Sequence, residues 1–117
     1  MTVTYMFAGL AVTDFTAAYG WYEALFGRPA DMFPHDQEAV WRLTPGGAVY
    51  VVSDRERAGN CLVTLAIADL DLHASRLRAE GLALIEESEV LAPRRLSIRD
   101  SDGNKITFFQ DPALPTG

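Results

Sequence analysis

The sequence predicts an α+β fold in which two tandem βαβββ modules make up a single domain of residues 1–117. Three observations support this prediction. An extended apolar segment that ends in a helix-capping aspartate occurs twice, at Tyr5–Asp14 and at Asn60–Asp69. A strand pattern that begins at glycine also occurs twice, at Gly46–Asp54 and at Gly103–Asp111. A helical pattern follows the first segment in both halves, so the repetition indicates one structural unit copied in tandem.

Module one covers residues 3–54, approximately, and each of its elements has a local reason. The first strand is predicted at Val3–Val12, which is short and apolar on both faces. Either Thr13 or Asp14 caps the helix Phe15–Phe26, whose apolar residues recur at spacings of three and four. Gly27 then ends the helix in the left-handed conformation. Three strand patterns follow, at Ala30–Pro34, Glu38–Leu43 and Ala48–Ser53.

Module two covers residues 60–112, approximately, and begins after a charged linker at 54–60. Its first strand is predicted at Leu62–Ala68, Asp69 caps the second helix, and Gly81 ends that helix. A strong turn is predicted at Asp100–Asn104 because aspartate, glycine and asparagine favour turn conformations. The remaining strands are predicted at Leu82–Glu87, Arg94–Arg99 and Lys105–Gln110.

Composition and charge exclude several classes of function. With 49% hydrophobic residues the chain reads as globular, and a net charge of −6 argues against a nucleic-acid partner. No apolar run approaches the roughly 20 residues that span a bilayer, so we expect no membrane partner. The single cysteine, Cys61, rules out an internal disulfide and favours a cytoplasmic location. The proline-containing tail from Asp111 is predicted to be mobile.

Four motifs in order resemble the vicinal oxygen chelate superfamily, which includes glyoxalases, extradiol dioxygenases and bleomycin-resistance proteins. They are the strand-to-helix junctions Val12–Asp14 and Ile67–Asp69, the helix end Trp21–Gly27, and the turn Asp100–Asn104. The resemblance covers nearly the whole chain. It implies that each module curls its sheet into an open half-barrel, and that the chain forms a homodimer with ligand cavities near the interface.

The resemblance also locates the positions at which metal-dependent members carry their histidine and glutamate ligands. In this sequence those positions hold Phe7, Tyr50, Leu62 and Thr107. Carbon atoms and neutral hydroxyl groups are poor ligands for a divalent ion, so we expect no metal and no other cofactor. The two histidines, His35 and His73, fall in a loop and in the second helix, away from the predicted cavity strands.

Side-chain alternation predicts which residues line the cavity instead. Residues that share a strand face with the former ligand positions are mostly aromatic or small. The predicted ligand-binding residues are Phe7, Trp41, Tyr50, Leu62, Thr107 and Phe109. Two alternatives remain open: these aromatic residues fill a closed barrel, or the basic cluster Arg94, Arg95 and Arg99 binds a carboxylate or phosphate.

The sequence therefore predicts a metal-free protein that binds a small hydrophobic or aromatic molecule, sequestering it as the bleomycin-resistance resemblance implies. The alternative is a glyoxalase-like lyase or dioxygenase-type enzyme with atypical metal ligands, or an isomerase that uses Tyr50 as an acid. No pair of carboxylates suited to acid and base roles and no nucleophile motif is present, so we assign no catalytic residue and favour a non-enzymatic role. The third hypothesis is a structural or regulatory module whose cavity has closed.

Overall fold

The structure, a computed structural model, describes residues 1–87 and 93–111. Its elements follow one another in the order βαβββ–βαβββ, which confirms the predicted fold class. The tail was predicted to be mobile from Asp111 onwards, and its residues after Asp111 lie outside the described residues. The elements are β1 Met6–Val12, α1 Phe15–Phe26, β2 Met32–His35, β3 Glu38–Thr44, β4 Gly47–Ser53, β5 Leu62–Ile67, α2 Leu70–Ala79, β6 Ile85–Glu87, β7 Arg95–Arg99 and β8 Lys105–Gln110.

The chain divides into two compact units. The first consists of Met1–Cys61 together with the turn Asp100–Asn104, and the second of Leu62–Arg99 together with the chain from Lys105. The units follow the two sequence repeats except at that turn, which lies between β7 and β8 in sequence but belongs to the first unit. Neither helix in the described part of the chain has the length and apolar character that a membrane span requires.

The first unit contains a four-stranded sheet in the order β1-β4-β3-β2, in which β1 and β4 are parallel and the other pairs antiparallel. Asp14 begins α1, because its Oδ1 accepts a hydrogen bond from the backbone N–H of Ala17 at 3.1 Å. Gly27 ends the helix at φ 74°. One face of the sheet and the inner face of α1 form the core, and burying each large side chain there stabilises the fold by about 1.5–3 kcal/mol. The largest fully buried residues of this core are Leu10, Val12, Tyr22, Leu25, Trp41 and Val51.

The second unit repeats this arrangement, with its sheet in the order β5-β8-β7-β6. Asp69 caps α2 by accepting a hydrogen bond from the N–H of Leu72 at 3.0 Å. The core again lies between one sheet face and the helix, and includes Leu77, Leu96, Ile98, Ile106 and Phe108. Both repeats therefore have one covered and one open sheet face.

Two strands, β1 and β6, each begin three residues later than predicted, for reasons of pairing. β1 begins at Met6 rather than Val3, because β4 begins at Gly47, which is the partner of Met6. β6 begins at Ile85 rather than Leu82, because the backbone N–H of Leu82 bonds to the carbonyl of Leu77 at the end of α2. A strand extends only as far as its partner, and single-strand patterns do not contain that information.

The turn Asp100–Asn104 carries a buried polar network within the first unit. Oδ1 of Asp100 accepts the backbone N–H groups of residues 102, 103 and 104 at 2.9–3.0 Å. Oδ2 of Asp100 accepts the hydroxyl of Tyr22 at 2.7 Å. The fully buried Asn104 donates to the carbonyl of Ala11 at 2.7 Å and accepts the N–H groups of Gly59 and Cys61, both at 3.0 Å. These buried polar groups are thus paired, as stability requires.

Candidate functional site

The open face of the first sheet gathers the aromatic residues that alternation predicts for β1 and β4. The parallel register places Phe7 beside Ala48 and Gly9 beside Tyr50. All four lie on the face opposite α1, because Leu10 and Val49, which alternate with them along the two strands, point into the core. Phe7 is 61% exposed, although phenylalanine is normally buried. We therefore take this face as the candidate site.

The ring of Tyr50 lies directly against the backbone of Gly9. A Cβ atom added at Gly9 would be 2.5 Å from Cζ and 2.6 Å from Oη of Tyr50. Real Cβ atoms do not approach other heavy atoms so closely, so only glycine leaves room for the ring in this position. The glycine in β1 thus sets the orientation of the tyrosine in β4.

A pocket of about 240 Å³ opens beside this ring, and we call it the Tyr50 pocket. One end is polar, because Arg57 donates to Oδ2 of Asp54 at 2.8 Å. That hydrogen bond is the main reason why the pKa of the Asp54 carboxyl is lowered. The pocket is lined by Gly9, Ala11, Tyr50, Val52, Asp54, Arg57 and Cys61.

A second pocket of about 500 Å³, which we call the Phe7 pocket, lies on the same unit. Its size is within the range of about 300–1,000 Å³ that is typical of small-molecule sites. The rings of Tyr5 and Phe7 are tilted against each other, with their centroids 4.9 Å apart. The lining residues are Tyr5, Phe7, Arg42, Thr44 and Pro45.

Trp41 does not share this face, contrary to the expectation that it lines a cleft. In β3 it opposes Val49, whereas its neighbour Val40 opposes Tyr50. Its side chain therefore points to the α1 side, where it is fully buried and stacks on Tyr19 with ring centroids 5.5 Å apart. Its Nε1 donates to the carbonyl of Arg28 at 2.9 Å. Trp41 is a core residue, and we leave it out of the candidate site.

The other predicted ligand residues lie on the open face of the second sheet. The register aligns Leu62 with Lys105 and Thr64 with Thr107, and Phe109 is two residues further along β8. Leu62 is 78% exposed, and Thr107 and Phe109 are half-buried. This face is more polar than that of the first unit, since Lys105 pairs with Glu87 at 2.9 Å.

The donor set does not fit a divalent cation. Of the positions that correspond to metal ligands, Phe7 and Leu62 present carbon, and Tyr50 and Thr107 present neutral hydroxyl groups. Across residues 1–87 and 93–111, no group of three or more histidine, cysteine, aspartate or glutamate side chains is placed to hold a metal ion.

The basic cluster Arg94, Arg95 and Arg99 was one candidate for binding an acidic ligand. Arg94 is engaged by carboxylates of the chain itself, donating to Glu86 and to Asp71.

Arg42 in the Phe7 pocket was not predicted as a site residue. It faces the site because it opposes Ala48, the neighbour of Phe7, and strand register rather than composition determines this.

Comparison with solved structures places these features in a known fold. A glyoxalase / bleomycin resistance protein from Catenulispora acidiphila DSM 44928 is 38% identical, with a TM-score of 0.87, and the match covers 92% of this chain and 98% of that one. TioX from Micromonospora sp. ML1 is 25% identical, with a TM-score of 0.73 over 91% of this chain and 97% of its own. TnmS3, an antibiotic binding protein from Streptomyces sp. CB03234, is 19% identical and shares the fold, with a TM-score of 0.71 over 91% and 93% of the two chains. No protein-family model and no curated protein matches the sequence.

Proposed function

The chain belongs to the glyoxalase/bleomycin-resistance family of the vicinal oxygen chelate superfamily, and from this premise we propose that it binds a small, flat, hydrophobic or aromatic molecule without a metal ion. The proposed role is sequestration of that molecule. TnmS3, which has the same fold, is described as an antibiotic binding protein, and an antibiotic is one ligand of the proposed kind.

The observation that carries this proposal is the exposed aromatic surface of the first unit. Phe7 is 61% exposed beside Tyr5 in the Phe7 pocket, and the Tyr50 pocket opens on the same sheet face. Covering the exposed part of the Phe7 ring with ligand provides part of the roughly 1.5–3 kcal/mol that full burial of a phenylalanine side chain gives. Each offset ring contact adds about 0.5–1.5 kcal/mol. A flat aromatic molecule obtains both contributions from this surface.

Sequestration also accounts for the donor set. A Lewis-acid enzyme of this superfamily needs ligands for its metal, whereas a binding protein needs only affinity. Carbon and hydroxyl at Phe7, Tyr50, Leu62 and Thr107 serve contact with an apolar ligand better than coordination. We further propose that Leu62, Thr107 and Phe109 give the second unit's open face a ligand-contacting role.

Other parts of the proposal concern assembly and location. We propose a homodimer, as the family resemblance implies, and a cytoplasmic location, as the single Cys61 favours. We propose neither nucleic acid nor a membrane as a partner, because a net charge of −6 disfavours binding to phosphates.

Thermal unfolding against a panel of aromatic natural products and antibiotics tests the proposal. We expect at least one compound to raise the melting temperature, because a ligand that binds only the folded state stabilises it. The Phe7→Ala and Tyr50→Ala variants should lose this shift. Phe33→Ala is the matched control, because Phe33 is also exposed, at 53%, but lines neither pocket. No shift with any compound, or an equal loss in the control, would count against the proposal.

A further inference from the structure

Arg42 is the charged residue of the Phe7 pocket, and its guanidinium group makes no ion pair with a carboxylate within the described ranges. Its Nη2 instead contacts the thioether sulfur of Met32 at 3.6 Å, which is a weak acceptor. The residue is exposed at the end of β3. An arginine that lines a pocket and has no acidic partner can donate hydrogen bonds from its guanidinium group to a bound anion.

Asp31, whose carboxylate interacts with Arg42, is already engaged. Its Oδ2 accepts the backbone N–H of Arg42 at 2.6 Å, and its Oδ1 accepts Nη1 of Arg28 at 3.1 Å. The backbone hydrogen bond from Arg42 is the main cause that lowers the pKa of Asp31, and the charges of Arg28 and Arg42 lower it further. Asp31 therefore pairs with the guanidinium group of Arg28 and with the backbone of Arg42, and not with the guanidinium group of Arg42. This leaves positive charge at the pocket in a chain whose net charge is −6.

Two residues that carry hydroxyl groups also line the pocket. Thr44 is among the lining residues, and so is Tyr5, whose hydroxyl oxygen is buried with no hydrogen-bond partner in the part of the chain that the structure describes. A buried polar group without a partner costs about 1–3 kcal/mol.

We propose that the Phe7 pocket binds an aromatic carboxylate, with its acidic group at Arg42 and its ring against Tyr5 and Phe7. This inference rests on the proposed function and adds the chemical class of the ligand. The planar guanidinium fork matches a carboxylate in geometry. The aromatic pair, with centroids 4.9 Å apart, offers the flat apolar wall that the rest of such a molecule needs.

Calorimetric titration with a matched pair of probes tests this inference. The probes are 2-naphthoate and its neutral analogue 2-naphthamide, which differ in charge but hardly in shape. Wild type is compared with Arg42→Gln and with Arg55→Gln. The second variant is the control, because it removes the same charge from an exposed arginine that lines neither pocket.

We expect wild type and Arg55→Gln to bind naphthoate about tenfold more tightly than naphthamide, and Arg42→Gln to bind both equally. The preference should also shrink at high salt, because the pair is exposed to solvent. If wild type binds both probes equally, or if Arg42→Gln keeps the preference, the carboxylate assignment is wrong while aromatic binding stands. If wild type binds neither naphthoate, naphthamide nor any compound of the aromatic panel, the proposed function itself is wrong and this inference falls with it.

Discussion

Replacing Gly9 by alanine tests whether the ring of Tyr50 lies against the backbone of β1, as the candidate site requires. The added Cβ would lie 2.5 Å from Cζ, 2.6 Å from Oη and 2.8 Å from Cε2 of Tyr50. Carbon atoms in contact are normally about 3.5–4.0 Å apart, so the ring must move by about 1 Å or more. Gly9 is not among the glycines with positive φ, so this contact alone opposes the substitution.

The expected cost follows from what has to move. Overpacking a well-packed site costs about 1–3 kcal/mol. Here the clashing atoms are the far end of a half-buried ring that can swing toward solvent, so we expect Gly9→Ala to lower the free energy of unfolding by about 1 kcal/mol. In a Tyr50→Ala background the clash is absent. The same substitution should then be neutral or stabilise by about 0.4–1 kcal/mol, because alanine restricts the unfolded chain.

Urea unfolding of wild type, both single variants and the double variant measures this coupling. The expected result is a change of sign or loss of the Gly9→Ala effect when Tyr50 is removed. Equal destabilisation in both backgrounds would refute the placement of the ring over Gly9. Gly20→Ala is the matched control, because a Cβ atom there meets nothing within 4 Å, and its effect should not depend on Tyr50.

Three further predictions concern stability. Tyr22→Phe removes the hydroxyl that donates to Asp100 at 2.7 Å and should lower the free energy of unfolding by about 1.5–3 kcal/mol in urea at neutral pH; an unchanged midpoint would contradict this. Burial, followed by the hydrogen bond to Asp100, raises the pKa of Tyr22, so the stability that its protonated hydroxyl contributes is complete below about pH 10 and is lost as pH rises further. Wild type should therefore lose stability above about pH 10 more steeply than Tyr22→Phe does. Parallel pH profiles of the two proteins would contradict this prediction. Burial beside Phe108, with ring centroids 4.4 Å apart, lowers the pKa of His73. Wild type should therefore lose stability as pH falls below about 6.5, whereas His73→Leu should not. Unfolding midpoints of both proteins at neutral and mildly acidic pH test this, and an equal loss in both would contradict it.

The helices were predictable because their signals are local. The apolar spacing of α1, the cap at Asp14 and the left-handed Gly27 all lie within one short segment, and the helix runs Phe15–Phe26 as predicted. The first strand was predicted three residues too long, since its extent depends on Gly47 of β4, which lies far away in sequence. Repetition identified the fold class, but only pairing determines how far each strand extends.

The candidate site was predictable only in part, for a similar reason. Alternation places Phe7 and Tyr50 on one face once β1 and β4 are paired in register. The face of Trp41 depends on which residue of β4 it opposes, and no local pattern in the weakly alternating β3 reveals that. The same uncertainty concealed Arg42, the next residue in the chain, which opposes Ala48 and so lies on the open face.

Ligand affinity with and without a divalent ion tests the proposed function most directly. The protein is stripped with a chelator and titrated with the best aromatic ligand of the panel, before and after addition of zinc, nickel, manganese or iron(II), while the metal content of protein purified without chelator is measured in parallel. We expect the affinity to be the same in every case, because Phe7 and Tyr50 offer contact surface rather than coordination. Binding that appears only when metal is added, together with near-stoichiometric metal in the purified protein, would contradict the proposal and favour the glyoxalase-like enzyme.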